Sequence, residues 1–587
     1  SPFDLDSYAS WVGMDTSTME RVNVTEAFDA DGNPVTKMDG EGRRGNPVSW
    51  RPTMLQNLEW LVSYQIGYMY LRYLMWNFSG RQNDVPSQGE VQHGNFITGF
   101  TAVDNLMLGA EDALPASAGR DNPGRNRYFM LPLLLCLLGA GWLCGQGRRG
   151  RQAAGTVAVL FIMTGLAIVV YLNQGPGEPR ERDYSFLGSF LAFSIWGGFG
   201  AVAVARMCRS AWGFLIPLGI AGWMFAENLD DHDRSGRTAA ANLSANILNS
   251  MERDAILFVN GDNYTFPLWY LQEVEGVRRD VKVINLAYIA LPEYAAARMG
   301  RWRESLPLQT TLTRQDIIYG ALRYTKAGSA AGDTLGAVEA LRALRASDTR
   351  EFPGQYVRLR VSADSVILYN LRSLSGSGAS RTLDFGRLMV FDIVATNAES
   401  AHPRPLYWLR QIRSDGHIRL ADAAAPWLFG SRYGMRPEAE TDSLLLDAAA
   451  HVVAPNADPD AYMDRTPAGM VASQRFALTV AAARLLEHGN IDGAEKLVRT
   501  ADTRMGDGPY TYANYYLADT TVNSRRMLAD VLAATADSLE NRYKDSTSES
   551  DSKSGTTPAS SRSRRIMARA AELRARAACH RAADRHK

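Results

Sequence analysis

GTVAVLFIMTGLAIVVYL, residues Gly155 to Leu172, holds no charged side chain. Three neighbours repeat the pattern. Tyr128 to Cys144 reads YFMLPLLLCLLGAGWLC, Ser185 to Ala205 reads SFLGSFLAFSIWGGFGAVAVA, and Ala211 to Ala226 reads AWGFLIPLGIAGWMFA. A bilayer-crossing helix needs roughly 20 apolar residues, and about 17 at the least. The first three runs qualify. The fourth is short, but its Trp212 and Trp223 stand where an aromatic belt would place them. Buried core helices are a poor alternative, because four such runs crowd into so short a stretch. The expectation is a polytopic α-helical membrane domain with four transmembrane helices over residues 128–226.

Short loops set the orientation. Arg148, Arg149 and Arg151 lie between the first two runs, and Arg206 and Arg209 between the third and fourth, with no acid in either loop. Both loops are therefore expected in the cytoplasm. Asn173 to Tyr184 mixes Arg180 and Arg182 with Glu178, Glu181 and Asp183 and belongs outside, as do the regions before Arg127 and after Glu227. Arg125 and Arg127 weigh against this assignment. The expected location is the bacterial cytoplasmic (inner) membrane, multi-pass, with a large periplasmic C-terminal region.

The 587 residues carry 63 basic and 63 acidic side chains, so no bulk field draws in nucleic acid, and none is expected as a partner. Apolar residues make up 46%, which excludes disorder for most of the chain. Cys136, Cys144, Cys208 and Cys579 form no CxxC pair, so neither a disulfide framework nor a zinc ribbon is expected. The chain opens Ser-Pro-Phe without a signal-peptide pattern and reads as the C-terminal part of a longer protein.

Residues 1–127 read as a periplasmic loop region. Within it, Leu58 to Phe78 is aromatic but includes Glu59 and Arg72, and at helical spacing Tyr64, Met69, Tyr73 and Trp76 cannot all face one side. A helix lying along the membrane is expected rather than a span. Residues 227–465 read as a periplasmic α/β domain. A helix at Thr238–Met251 precedes strand Ala255–Asn260, helix Thr265–Val274 and strand Val281–Leu286, a β-α-β unit that predicts a parallel sheet. Leu388 to Ala395 and Pro405 to Trp408 are expected as further strands. Ligands in open parallel sheets sit beyond the strand carboxyl ends, where Asp262, Asn263 and Asn397 would fall.

Residues 466–543 read as helical hairpins. Ala472–His488 and Ile491–Arg504 flank Gly489-Asn490, and LLEHGNIDGAEKLV resembles a tetratricopeptide turn with Ala494 as the small packing residue. Tyr512–Asp519 and Ser524–Tyr543 would form a second pair. Residues 544–563 read as a disordered linker and 564–587 as a basic helical tail.

Four polar clusters could carry chemistry. They are Arg81 with Asp84, then Arg180, Glu181, Arg182 and Asp183, then Asp230, Asp231, His232 and Arg234, and finally Asp262 with Asn263. A guanidinium is a permanently charged fork suited to phosphate. A carboxylate at a membrane surface can act as a base or bind a divalent ion. The bland alternative is a set of salt bridges tying loops to helix ends. Neighbouring acids on one element rarely share an ion, so no metal is assigned.

Several long strings, including YMYLRYLMWNFSGRQND, GLAIVVYLNQGPGEPRERDYSFLGSF, ENLDDHDRSGR and AILFVNGDNYTFPLWYLQEVEG, resemble one family. It is a bacterial membrane-protein family of formerly unknown function, related to protein O-mannosyltransferases within the GT-C glycosyltransferase superfamily. The resemblance is dense from Pro52 to Gly276 and thin to about Tyr515. It implies a GT-C-like enzyme that takes a sugar, with mannose the candidate, from a polyprenyl-phosphate donor to an acceptor, a protein, outside the membrane. No cofactor beyond that donor substrate is implied. The resemblance also places the catalytic acid in an outer loop upstream of this chain, so no residue here is assigned as catalytic. The family reads GDNDT where this chain has Gly261-Asp262-Asn263-Tyr264-Thr265, which removes one acid. The competing reading is a non-catalytic membrane-anchored scaffold. A transporter is disfavoured because the apolar runs contain no internal charge.

This topology has a direct test. Alkaline phosphatase fused after Lys587 is expected to be active, because the fusion point lies outside the cytoplasm. Fluorescence there from a reporter that matures only in the cytoplasm would overturn the assignment.

Overall fold

The computed structural model describes residues 53–505, apart from 88, 116–117, 176–181, 320–324, 363–364, 376–380, 410–417, 419, 421–423, 435–437, 459–460 and 464. It also describes 11, 20–23, 37–38, 44–45, 48–51, 533, 536–537 and 574. The second hairpin, the linker and all but one residue of the basic tail expected from the sequence lie almost entirely outside this set. The chain is mostly helical, with mixed sheets, and divides into two units, Ser1–Arg234 and Ser235–Lys587.

In the first unit, α1 (Met54–Trp60) runs through a π-helical stretch, Leu61–Leu71, into α2 (Arg72–Phe78). Thr53 starts it with a capping box closed by Gln56. Tyr64, Met69, Tyr73 and Trp76 are all buried, in one cluster with Phe186, Phe190 and Phe193. Their burial in one cluster does not require a shared side, because the helix is enclosed on more than one face.

Helices α3 (Leu131–Gly145), α4 (Gly147–Met163), α5 (Leu166–Leu172), α6 (Leu187–Met207) and α7 (Leu215–His232) cover the four apolar runs. Two helical stretches, Gly147–Leu172 and Asp183–Met207, are long and apolar enough to cross a membrane, and Leu131–Gly145 is apolar but shorter. The four-span expectation is thus met for two helices by length and composition. The last helix, α7, carries Glu227, Asp230 and Asp231 in its final turns.

The break between α4 and α5 falls at Thr164-Gly165. The Gly165 amide turns back to the Ile162 carbonyl, leaving the Phe161 carbonyl without its usual helical donor. The Ser189 hydroxyl of α6 donates to Phe161 O at 2.8 Å. It accepts in turn from the Tyr70 hydroxyl at 2.5 Å. A Cβ on Gly165 would lie 2.5 Å from both of those oxygens, so only glycine fits. Close approach also joins α3 to α6. A Cβ at Gly139 would stand 1.8 Å from Trp196 O, and one at Gly200 would stand 2.1 Å from Leu135 O.

The second unit is built on a five-stranded sheet of β1 (Ile256–Val259), β2 (Lys282–Asn285), β3 (Leu406–Leu409), β4 (Ala424–Trp427) and β5 (Gly430–Tyr433), in the order β4-β5-β3-β1-β2. Strands β3, β1 and β2 are parallel, with Ile256 opposite Leu406 and Lys282. The β4–β5 hairpin adds antiparallel strands, so the sheet is mixed. All four residues of each of the strands β1, β2 and β3 are buried, which accounts for the continuous apolar runs of β1 and β3, while β2 buries Lys282 and Asn285 at its ends. Helix α8 (Ala239–Asn249) precedes the sheet, and α9 (Asp262–Tyr270) with the π-helical Leu271–Glu275 joins β1 to β2, the β-α-β unit expected.

The segment Leu388–Ala395 is not a strand. It lies in helix α11 (Phe385–Ala398), which follows α10 (Pro292–Met299) and is capped by the Asp384 carboxylate accepting from Arg387 N. Burial of nearly every residue erases the helical stripe and leaves a run that mimics a core strand. Asn397 therefore falls away from the carboxyl edge of the sheet. Its side chain exchanges two hydrogen bonds with the Arg404 backbone, closing the turn into β3. Helix α12 (Glu438–Ala450) leads to the hairpin of α13 (Arg465–Glu487) and α14 (Ile491–Met505), in which Ala494 is buried as expected. No tetratricopeptide repeat is identified.

Two outcomes follow from this packing. Gly139→Leu should destabilise the first unit by about 3 kcal/mol or more, because backbone rather than a movable side chain fills the space. An unchanged melting temperature in detergent would contradict the α3–α6 contact.

In the second unit, the buried Asp392 carboxylate of α11 accepts from Thr311 N at 2.9 Å and Leu312 N at 3.1 Å. Burial pushes its carboxyl up to about 6, against the pull of those bonds. A raised carboxyl means proton uptake on folding, so local stability should grow as pH falls through 6. Exchange protection at the Thr311 and Leu312 amides, corrected for intrinsic rates, should gain about 0.8 kcal/mol between pH 7.5 and 5.5. Asp392→Asn should remove that dependence, and a pH-independent native protein would refute it.

Candidate functional site

The polar clusters of the first unit gather on a framework of loops. Gly80-Arg81 pairs antiparallel with Asn126-Arg127, and Arg81 also bridges Phe96. The buried Ser79 donates to Ile97 O at 2.7 Å, and Asn83 donates to Gln92 O and Ala118 O. Asp84 accepts from Asn122 Nδ2 at 2.7 Å, a loop-closing role. These bonds fix the backbone from which Arg81 projects.

The Arg81 guanidinium lies over the Trp76 ring at 4.3 Å. Arg72, itself buried, lies over Tyr68, Tyr73 and Trp76 and donates to Gly94 O at 2.6 Å. Two guanidinium groups therefore share one indole. The buried Arg81 Nε and Trp76 Nε1 have no hydrogen-bond partner among the described residues. Arg72 was visible in the sequence only as a charge inside an aromatic run, and its stacking could not be read there.

Asp231 is the buried acid of the third cluster. His232 Nδ1 stands 2.6 Å from its carboxylate, and Arg81 acts on it electrostatically. Burial raises its carboxyl above the ordinary value, opposed by His232 and Arg81. Asp230 and His232 are exposed, as is Arg234. The helix end bearing this cluster is clamped to the loop before α3. Glu227 accepts from Arg127 N at 2.9 Å, Asn228 accepts from the Tyr128 hydroxyl, and Trp223 Nε1 donates to Arg127 O. Arg125 and Arg127, the cations that weighed against the expected topology, both pair with Glu111.

In the second cluster, Arg180 and Glu181 lie outside the described residues. Arg182 and Asp183 are half-buried at the turn Asp183–Phe186, which packs on α6 and the π-helical stretch. In the second unit, Asp262 and Asn263 open α9 just beyond β1, at the carboxyl edge of the sheet, as expected. Both are exposed, and Asp262 accepts from the Tyr288 hydroxyl at 2.9 Å. The structure thus joins Arg81 to Asp231, assigns Asp84 to a loop, and leaves Asp262 and Asn263 with the second unit.

Residues 240–426 match the family model of TMEM260-associated domain 2. No curated protein and no solved structure matches the chain.

Proposed function

We propose that the chain is the C-terminal part of a membrane glycosyltransferase. It moves a sugar, with mannose the candidate, from a polyprenyl-phosphate donor to a protein acceptor outside the cytoplasmic membrane. The match over residues 240–426 supports a relation to membrane glycosyltransferase-like proteins. A membrane setting is supported by the outward faces of the two long apolar helices. Val159, Leu160, Ile162 and Met163 on one, and Leu187, Leu191 and Ile195 on the other, are exposed within the chain and suit a lipid surround.

The observation that carries the site is the Arg81 guanidinium. It is permanently charged, stacked on Trp76, and carries a buried Nε–H without a partner. A phosphate oxygen is the acceptor such a group lacks. In this reading Arg81 and Arg182, with Arg180, hold the donor phosphate at the outer surface. Asp231 balances Arg81 when the site is empty. The exposed Tyr184 lines the entry for the first isoprene units, with Phe186 buried behind it. The donor tail then stays in the bilayer while its headgroup meets the acceptor. Residues 227–465 and 466–543 form periplasmic domains that present the acceptor.

Arg81→Lys and Arg182→Lys in the full-length protein keep the charge and lose the fork. Each should weaken donor binding about tenfold, the equivalent of one lost charge-assisted hydrogen bond, with the melting temperature unchanged. Lost thermal stability with intact donor affinity would make the arginines architectural and favour the scaffold reading.

A further inference from the structure

Beside the amino end of β2, a small, partly open pocket is lined by Glu273, Arg279, Lys282, Arg298, Trp302 and Arg303, among others. Four of these six side chains are basic and one is acidic. The Lys282 side chain is almost wholly buried, at 1% exposure, yet its ammonium meets only one acceptor, Gly300 O at 2.7 Å. The charges acting on it are Arg404, Arg298 and Arg301, all of its own sign. The acid in the wall is already engaged. Glu273 accepts from Trp302 Nε1 and from Arg303 Nε.

The cations are held in place by other bonds. Arg298 lies over the rings of Trp269, Tyr294 and Trp302 at 4.8, 5.2 and 4.9 Å. Arg279 donates its Nε to Gln272 O at 2.8 Å. A folded chain keeps like charges around a buried lysine only at a cost that grows as water is excluded. No carboxylate is among the charges acting on Lys282, and an anion would supply the missing sign.

We propose that this cavity binds an oxyanion of the phosphate or sulfate class, held by Lys282 with Arg279 and Arg303. Lys282 supplies the buried ammonium at the back, and Arg303, half-exposed beside Glu273, supplies the fork at the mouth. The site is independent of the donor site proposed for the first unit, because all its residues belong to the second. It also stands apart from the carboxyl edge of the sheet where Asp262 and Asn263 lie.

The test uses the whole chain in detergent micelles, with sodium sulfate titrated by calorimetry against sodium chloride at constant ionic strength. Saturable binding is expected. Arg303→Gln should weaken it roughly tenfold, as for one charge-assisted hydrogen bond, and Lys282→Met should weaken it at least as much. Glu273→Gln, which removes the single acid, should strengthen it. Because Lys282→Met could disturb the fold, the opposite signs of Arg303→Gln and Glu273→Gln decide the matter.

The pH profile adds a readout that a structural lysine would not give. Burial, with Arg404, Arg298 and Arg301, brings the Lys282 ammonium down to about 7. The arginines facing it do not titrate there. Glu273, whose burial is outweighed by donation from Trp302 and Arg303, stays ionised. Sulfate affinity should therefore fall between pH 6 and 8 and be flat in Lys282→Met.

Competition separates the sources of the group. Displacement of sulfate by inorganic phosphate marks a soluble phosphate. Displacement by vesicles containing phosphatidic acid, but not by phosphate, marks a lipid headgroup. Absence of saturable sulfate binding, or equal binding in all three variants, would overturn the proposal.

Discussion

Between Gly147 and Leu172, whose outward side chains near the break are apolar, the backbone must find its hydrogen-bond partners inside the chain. Regular helix is interrupted there at Thr164-Gly165. There the Ser189 hydroxyl supplies the donor that the Phe161 carbonyl lacks, and Tyr70 completes the chain. That short relay joins three separate segments. It requires glycine at position 165 and sets how closely the π-helical stretch approaches α6. The aromatic cluster of Tyr64, Tyr70, Tyr73, Trp76, Phe186, Phe190 and Phe193 closes around it. Arg72 lies on the helix that follows the π-helical stretch, and its Trp76 carries the Arg81 guanidinium, so the polar face leans on the apolar one.

A second constraint works at the helix ends. Glu227 and Asn228 of α7 bond to Arg127 and Tyr128 just before α3, so the last helix ends where the first begins. Glu111 holds both Arg125 and Arg127, and burial lowers the Arg125 guanidinium from its ordinary value despite that pairing. These arginines are therefore committed to carboxylates.

The same logic separates what was legible in the sequence from what was not. Strands β1 and β2 were readable because a short apolar run bounded by polar turns has few other uses in a β-α-β context. Leu388–Ala395 was misread because full burial removes the stripe that distinguishes a helix from a core strand. Arg81, Asp231, Asp262 and Asn263 were visible as polar clusters beside apolar runs. Lys282 was not, since VKVINL reads as an ordinary strand and its cationic surroundings come from residues far apart in sequence.

A buried cation has two ways to avoid standing uncompensated: it can lose its proton or gain a counter-charge. Arginine has only the second at any relevant pH. Arg81 accordingly sits within the field of Asp231, whose own carboxyl is raised by burial, so the two can offset each other when no ligand is present. Lysine has both routes. With no carboxylate acting on it, Lys282 can discharge near neutral pH and wait as a neutral amine bonded to Gly300 O. An arriving oxyanion would recharge it, so binding and proton uptake are coupled in the second unit. In the first, an anion would instead compete with a resident carboxylate. On the proposed readings, the guanidinium site would discriminate by geometry and against a nearby carboxylate, and the ammonium site by the charge state of its own cation.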